Sequence, residues 1–176
     1  MSERLPSREQ ALQLLRENQC PTEVISHCEA VTKLALETTK ALKGRGLKID
    51  SELVEVGALL HDIGRSKTHT VHHAVVGAEI AEAAGLPDSV ISIIKRHVGG
   101  GINDSEAKKL GWPEDVYMPV TLEEKIVSYA DKLIENAKRV PIERTIEELS
   151  EELKAEAAER VRKLYDEITN LIGDAS

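Results

Sequence analysis

The sequence is poor in aromatic residues and in cysteine. Phenylalanine is absent, aromatic residues make up 2% of the 176 residues, and the two cysteines are Cys20 and Cys28. A core without aromatics must be built from Leu, Ile, Val and Ala, and the abundant Glu, Lys and Arg residues are good helix formers. Two cysteines in no metal-type or redox-type spacing argue against a thiolate metal site or a disulfide scaffold. The composition therefore favours an all-α fold of helices packed on helices.

The chain also lacks a surplus of positive charge and a long apolar run. Its formal net charge is −8, which argues against a broad surface for duplex nucleic acid. No apolar segment approaches the length of a membrane span, and the first ten residues, MSERLPSREQ, are charged from the third position. We therefore expect a cytoplasmic protein with neither a duplex nucleic acid nor a membrane as partner. A small phosphorylated ligand remains compatible with this charge, because a bound metal ion supplies positive charge locally.

The length and the helix signals predict one helical domain. We expect residues 1–176 to form a single domain of about six to eight helices. Thr145 and Glu148 form a capping pair ahead of a long amphipathic helix over about 145–172, with apolar residues three or four positions apart. This C-terminal helix is expected to serve packing or the formation of a homodimer.

Two further helix ends are predicted from capping and stop signals. Thr121 and Glu124 form a capping pair before EKIVSYADKLIENAKR, and Pro141 is expected to end that helix. Gly64 is expected to stop the helix that ends at Asp62, as glycine often does just beyond a helix C-terminus.

Polar side chains interrupt the apolar helical patterns at six positions. A single inward histidine or aspartate is most often a hydrogen-bonded core residue or a cap, but burying six of them unpaired would cost roughly several kcal/mol each. A shared divalent cation removes this cost, because neutral imidazoles and carboxylates are the ligands that it needs. Mixed nitrogen and oxygen ligands favour Fe, Mn, Co, Ni or Zn over Ca or Mg. The candidate metal ligands are His27, His61, Asp62, His73, His97 and Asp131.

The order of these residues resembles the HD-domain superfamily of metal-dependent phosphohydrolases. The resemblance covers roughly residues 22–140 and rests on an upstream His27, the HDIG segment at 61–64 and a downstream Asp131 within SYADKL. It implies an HD-type helical bundle in which His27, His61, Asp62 and Asp131 bind one metal ion.

Two other segments resemble narrower groups within that superfamily. HHAVVGAEIAE and IIKRHVGGG are similar to the extra histidine segments of dinuclear HD proteins, which implies that His73 and His97 bind a second ion. The segment LEEKIVSYADKL resembles the matching part of bacterial HD-type diadenosine tetraphosphate hydrolases. The resemblance thus implies one or two divalent transition-metal ions, with a bridging role for Asp62 if there are two.

The sequence lacks motifs of several known subfamilies, which excludes some of the possible substrates. No Gly-Tyr-Pro follows His97, which argues against a cyclic-di-GMP phosphodiesterase. Basic residues, Arg65 and Lys67, stand where stringent-response hydrolases and HD-type 5′-nucleotidases carry acidic ones. We expect Arg65 to contact a substrate phosphate through its planar guanidinium, with Lys67 and Lys95 as further contacts.

The resemblance implies hydrolysis of a phosphoester or phosphoanhydride bond in a small, nucleotide-like substrate by a metal-activated hydroxide. Asp62 and Arg65 are the expected catalytic residues, and His69 or His72 is a candidate proton donor to the leaving group. Three alternatives remain open. They are a dinuclear-iron oxygenase with the same ligand order, a 2′,3′-cyclic phosphodiesterase, and a non-catalytic module that binds metal or nucleotide.

Overall fold

A computed structural model describes residues 4–151 and 155–173, and its regular structure is almost entirely helical, which confirms the predicted all-α class. Nine α-helices lie within these residues, one more than the upper end of the predicted range. None of them combines the length and the apolar character that a membrane span requires. The helices are α1 (Arg8–Glu17), α2 (Thr22–Gly44), α3 (Ser51–Leu60), α4 (His73–Ala83), α5 (Asp88–Lys95), α6 (Asp104–Leu110), α7 (Leu122–Asp131), α8 (Ile142–Glu151) and α9 (Ala155–Ile172).

Shorter elements connect these helices at the places that matter for function. A 3-10 turn over Ile63–Ser66 follows α3, and a second over Val98–Gly100 follows α5. Strands β1 (Ile134–Glu135) and β2 (Lys138–Arg139) form an antiparallel hairpin directly after α7.

The largest core lies between α2, α3, α7 and α9. Its fully buried members include Val31 and Leu42 of α2, Ala58 of α3, Ile126 of α7 and Ile168 of α9. Complete burial of a Leu or Ile side chain contributes about 1.5–3 kcal/mol relative to exposure. The apolar faces of these helices therefore fix the relative positions of the polar residues that they carry.

The C-terminal region contains two packed helices. The predicted long helix is confirmed over Ala155–Ile172, whereas residues 142–151 form the separate helix α8, which packs against it. The predicted helix start at Thr145 is wrong, because α8 begins after Pro141, a residue whose missing N–H costs nothing in a first turn. The hydroxyl of Thr145 instead donates to the carbonyl of Lys132 at 2.7 Å. Residues 152–154, within the predicted helix, lie outside the described residues.

The helix predicted to run to Pro141 ends at Asp131 instead. Asn136 and Ala137 adopt φ angles of 57° and 105° at the tip of the hairpin, a left-handed region that asparagine tolerates better than most residues. The apolar spacing continues past the helix end because Leu133, just beyond it, is also buried. Periodicity alone therefore overestimated the helix.

Gly64 allows close packing and does not act as a helix stop. It lies inside the 3-10 turn after α3, without a left-handed φ. A Cβ atom at this position would collide with the carbonyl oxygen of His73 and lie 2.7 Å from the backbone nitrogen of Gly77. Glycine therefore lets the chain after His61 and Asp62 pack directly on α4.

Candidate metal centre

Five chain segments bring the six predicted ligands into two adjoining groups. The side chains come from the ends of helices or from the residues just beyond them, except for His27, which lies in the second turn of α2. The first group contains His27, His61, Asp62 and Asp131, and the second contains Asp62, His73 and His97.

In the first group, two imidazoles converge on two carboxylates. Oδ1 of Asp131 lies 2.9 Å from Nε2 of His27 and 3.2 Å from Nε2 of His61. Oδ2 of Asp62 lies 3.5 Å from each of the same two nitrogens. His61 is fully buried, whereas the His27 side chain is 17% exposed, so solvent reaches this group from the His27 side.

The second group uses the other oxygen of Asp62. Oδ1 of Asp62 lies 3.2 Å from Nε2 of His73 and 3.2 Å from Nε2 of His97, and these two nitrogens are 3.1 Å apart. All three side chains are buried. Asp62 therefore stands between the two groups with one oxygen facing each.

Backbone carbonyls fix which ring nitrogen faces each group. A carbonyl oxygen only accepts, so an Nδ1 atom bonded to one carries the hydrogen and leaves the Nε2 lone pair bare in the neutral ring. Three imidazoles have this arrangement: His61 donates to Ala58 at 2.6 Å, His73 to Thr70 at 2.7 Å and His97 to Ile94 at 2.6 Å. Bare nitrogens that face carboxylate oxygens could hold a divalent metal ion between them.

The local electrostatics keep the carboxylates ionised. Burial opposes the charged form of Asp62, but the charge of neighbouring His61 and the contacts with His73 and His97 together outweigh it and hold the pKa well below its usual range. Burial likewise opposes ionisation of Asp131, but the ammonium of Lys132 and the contacts with His27 and His61 together hold that pKa well below its usual range. Burial lowers the pKa of His97 to about 4, which favours the neutral ligand form.

His61 carries the opposite tendency. Burial would lower its pKa, but the adjacent carboxylate of Asp62, together with smaller contributions from Cys28 and Asp131, raises it well above the usual value. A cation that enters the first group therefore competes with a proton on His61.

Two basic side chains pair with the two carboxylates. Nε of Arg65 lies 3.2 Å from Oδ2 of Asp62, and its Nη1 donates to the carbonyl of His69 at 3.1 Å. Nζ of Lys132 donates to Oδ2 of Asp131 at 2.6 Å. Arg65 was expected from the sequence and Lys132 was not; the available signal for Lys132 was its position directly after Asp131.

A cavity of about 360 Å³ opens onto the first group. Its lining includes His27, Asp62, Arg65, His69, Asp131 and Asn136. Asn136 comes from the tip of the hairpin that replaces the predicted helix end, and for that reason sequence reasoning did not find it.

The other predicted substrate contacts lie elsewhere. Lys67 is exposed and does not line this cavity, and Nζ of Lys95 pairs with Asp115 at 2.6 Å outside it. Nδ1 of His72 accepts a hydrogen bond from the indole of Trp112 at 2.8 Å, also away from the cavity. Of the predicted substrate-binding residues, the structure brings Arg65 alone to the cavity among the described residues.

Comparisons of the sequence find a family model and similar proteins. The model of the HD domain matches residues 24–136. An uncharacterized protein of Methanocaldococcus jannaschii is 46% identical over 93% of this chain and 98% of its own length. The tRNA (cytidine(56)-2′-O)-methyltransferase of Thermoplasma volcanium is 38% identical over 96% of this chain and 48% of its own length, so this chain spans about half of that protein.

A solved structure has a similar helical fold. The HD domain of the Listeria monocytogenes phosphodiesterase PgpH, solved with cyclic-di-AMP, aligns with a TM-score of 0.57 at 19% identity, covering 93% of this chain and 97% of that one. The expected similarity to diadenosine tetraphosphate hydrolases is not shown by these comparisons and stays a prediction. The family model matches more than half of the chain, and this chain therefore belongs to the HD-domain family.

Proposed function

We propose that this protein binds two divalent metal ions and hydrolyses a phosphoester or phosphoanhydride bond of a small nucleotide. The observation that carries the proposal is the position of Asp62, whose Oδ2 faces His27 and His61 while its Oδ1 faces His73 and His97. A carboxylate with one oxygen toward each of two imidazole pairs suits a bridging ligand. Asp131 would complete the first ion's ligands.

The ligand chemistry supports a transition metal. The two groups offer imidazole nitrogens and carboxylate oxygens without a thiolate, which suits Fe, Mn, Co, Ni or Zn. When bound, such ions lower the pKa of a coordinated water and stabilise charge on phosphoryl oxygens.

Arg65 is suited to orient the phosphate. One guanidinium nitrogen lies beside Asp62 and another donates to the carbonyl of His69, so the planar group is held in one orientation at the cavity wall. Its remaining N–H groups supply a charge-assisted contact for a phosphate oxygen. Because the side chain is ordered before substrate arrives, less conformational entropy is lost on binding.

Two other cavity residues have complementary roles. The imidazole of His69 is exposed at the cavity and can give a proton to the leaving-group oxygen. The amide of Asn136, which both donates and accepts, can hydrogen-bond to a sugar or a base.

Several observations favour a nucleotide over other phosphoesters. The cavity volume lies within the usual range for small-ligand sites, and the acidic chain disfavours long nucleic acids. The similar proteins named above include a tRNA methyltransferase and a phosphodiesterase solved with cyclic-di-AMP. A tRNA and cyclic-di-AMP are both built from nucleotides.

The test is a substrate screen on protein loaded separately with Mn²⁺, Fe²⁺, Co²⁺ or Zn²⁺. The panel comprises nucleoside mono- and triphosphates, dinucleoside polyphosphates, cyclic dinucleotides and 2′,3′-cyclic nucleotides, with products separated by chromatography. We expect metal-dependent hydrolysis that Asp62→Ala abolishes. Fully loaded protein that cleaves none of these compounds would contradict the proposal, and oxygen uptake by the iron form would indicate the oxygenase alternative.

A further inference from the structure

Lys132 touches both metal-ligand groups. Its Nζ donates to Oδ2 of Asp131 at 2.6 Å and to the backbone carbonyl of His97 at 3.0 Å. The side chain is 11% exposed, so both bonds are largely shielded from water. One ammonium therefore contacts a member of the first group and a member of the second.

The bond to Asp131 determines which of its oxygens faces the ligands. Oδ1 lies 2.9 Å from Nε2 of His27 and 3.2 Å from Nε2 of His61, while Oδ2 is held by Lys132 on the other side. A carboxylate held in this way offers a single oxygen to the first group.

The bond to His97 fixes the backbone of the second group. The carbonyl of His97 also accepts a hydrogen bond from the buried hydroxyl of Ser128 at 3.1 Å. Two side chains therefore hold this carbonyl, one from the last turn of α7 and one from the C-cap residue Lys132. The imidazole of the same residue is held by Ile94 at Nδ1, which leaves little freedom for Nε2.

We propose that Lys132 is a positioning residue that holds Asp131 as a one-oxygen ligand and sets the place of His97, so that the two metal sites form together. This inference rests on the proposed metal-binding function. The position and the charge of the Lys132 ammonium have opposite effects on metal affinity. Repulsion between an ammonium and a divalent cation means that removing the charge alone would tighten metal binding, whereas loss of positioning would weaken it.

The experiment is a Co²⁺ titration of the full chain followed by visible absorption, which reports both stoichiometry and coordination. We expect Lys132→Met to lose about 10- to 100-fold in affinity, as for other residues that hold metal ligands in place. We also expect a changed Co²⁺ spectrum, because the freed Oδ2 of Asp131 becomes available to the ion. Lys132→Arg, which keeps the charge and the donors, should restore the wild-type spectrum.

Two variants on the same helix sharpen the result. Lys125→Met removes a lysine that pairs with the exposed Glu167 at 2.7 Å and should leave the titration unchanged. Ser128→Ala removes a donor to His97 alone and should weaken the second Co²⁺ without affecting the first.

The outcomes separate this inference from the proposed function. A wild-type protein that takes up two Co²⁺ together with a Lys132→Met variant of equal or tighter affinity would overturn the positioning role alone. A wild-type protein that binds no Co²⁺ would overturn both. If Lys132→Met loses its helical circular dichroism, Lys132→Gln decides: weaker binding supports the role, and wild-type binding overturns it.

Discussion

In their neutral forms, His73 and His97 face each other through ring nitrogens that carry no hydrogen. Their Nε2 atoms are 3.1 Å apart, and each Nδ1 hydrogen is already donated to a carbonyl, of Thr70 and Ile94 respectively. Two neutral imidazoles in this arrangement repel through their lone pairs unless a cation lies between them. The pair is therefore arranged for a ligand role and poorly arranged for a structural hydrogen bond.

We predict two metal equivalents in the wild-type protein and a fall towards one in the double variant His73→Ala, His97→Ala. The remaining ion would keep His27, His61, Asp62 and Asp131. The measurement is metal content by mass spectrometry after loading and desalting. His72→Ala is the matched control, since His72 is exposed and bonded to Trp112, and it should retain both ions. Saturation of the wild type at one equivalent would show that the second site is absent.

Removal of metal should lower the melting temperature. A ligand that binds the folded state alone adds about 4 kcal/mol of stability at a concentration 1,000 times its Kd, and the buried carboxylates lose their counter-charge without it. We expect chelation to lower the transition measured by scanning calorimetry, and Asp62→Ala to be insensitive to both chelator and added metal. An unchanged wild-type transition after complete removal of metal would contradict this.

Arg65→Ala should impair substrate binding more than metal binding. Loss of a charge-assisted phosphate contact corresponds to about a 10- to 100-fold fall in kcat/KM, mainly through KM. Lys67→Ala is the comparison, because Lys67 is exposed and does not line the cavity. Steady-state kinetics on the best substrate, with metal content measured in parallel, tests both variants. Wild-type kinetics for Arg65→Ala would exclude the phosphate role.

Gly64→Ala should destabilise the fold strongly. The new methyl group would collide with the carbonyl of His73 and force the turn away from α4, at a cost of about 1–3 kcal/mol or more. Gly44→Ala, at the end of α2, meets nothing within 4 Å and should be neutral or stabilising. Urea denaturation of both variants measures the difference. Equal free energies of unfolding for the two variants would show that the turn at Gly64 can shift to accommodate a methyl group at little cost.

The cysteines should be unreactive in the native protein. Burial, the main cause, raises the pKa of the Cys20 thiol to about 11, and burial also raises the pKa of Cys28. Because the thiolate is the reactive form, at pH 8 about one Cys20 in 1,000 is ionised. We expect negligible labelling by a thiol reagent at pH 8 and two thiols per chain in denaturant. Rapid labelling of the folded protein would show that these side chains are accessible.

The residues proposed as metal ligands could be predicted from the sequence because each conflicts with its local pattern. His27 and Asp131 occupy positions on the apolar faces of helices, where an imidazole or a carboxylate needs a partner. The structure brings them within 2.9 Å of each other. Such a conflict between burial and polarity is visible without coordinates and identified the candidate ligands, whereas their division into two groups came from the resemblance to HD domains.

The supporting residues could not be predicted in the same way. Lys132 directly follows a helix end, where a lysine is ordinarily solvated, so its position after Asp131 is a weak signal. Asn136 reaches the cavity through a hairpin whose residues continue the apolar spacing of α7. Both depend on where the chain turns after Asp131, which local propensity did not determine.

The separation of His27 and Asp131 along the chain has a consequence for folding kinetics. The two side chains meet at 2.9 Å although they are 104 residues apart. Bringing them together closes a long loop, whose entropy cost must be met by packed helices before a cation gains anything from it. Of the proposed ligands, His61 and Asp62 alone are adjacent along the sequence, so the unfolded chain does not hold the complete first group together. Tight metal binding should therefore develop late in refolding. The rate at which it develops would report the docking of α2 against α7.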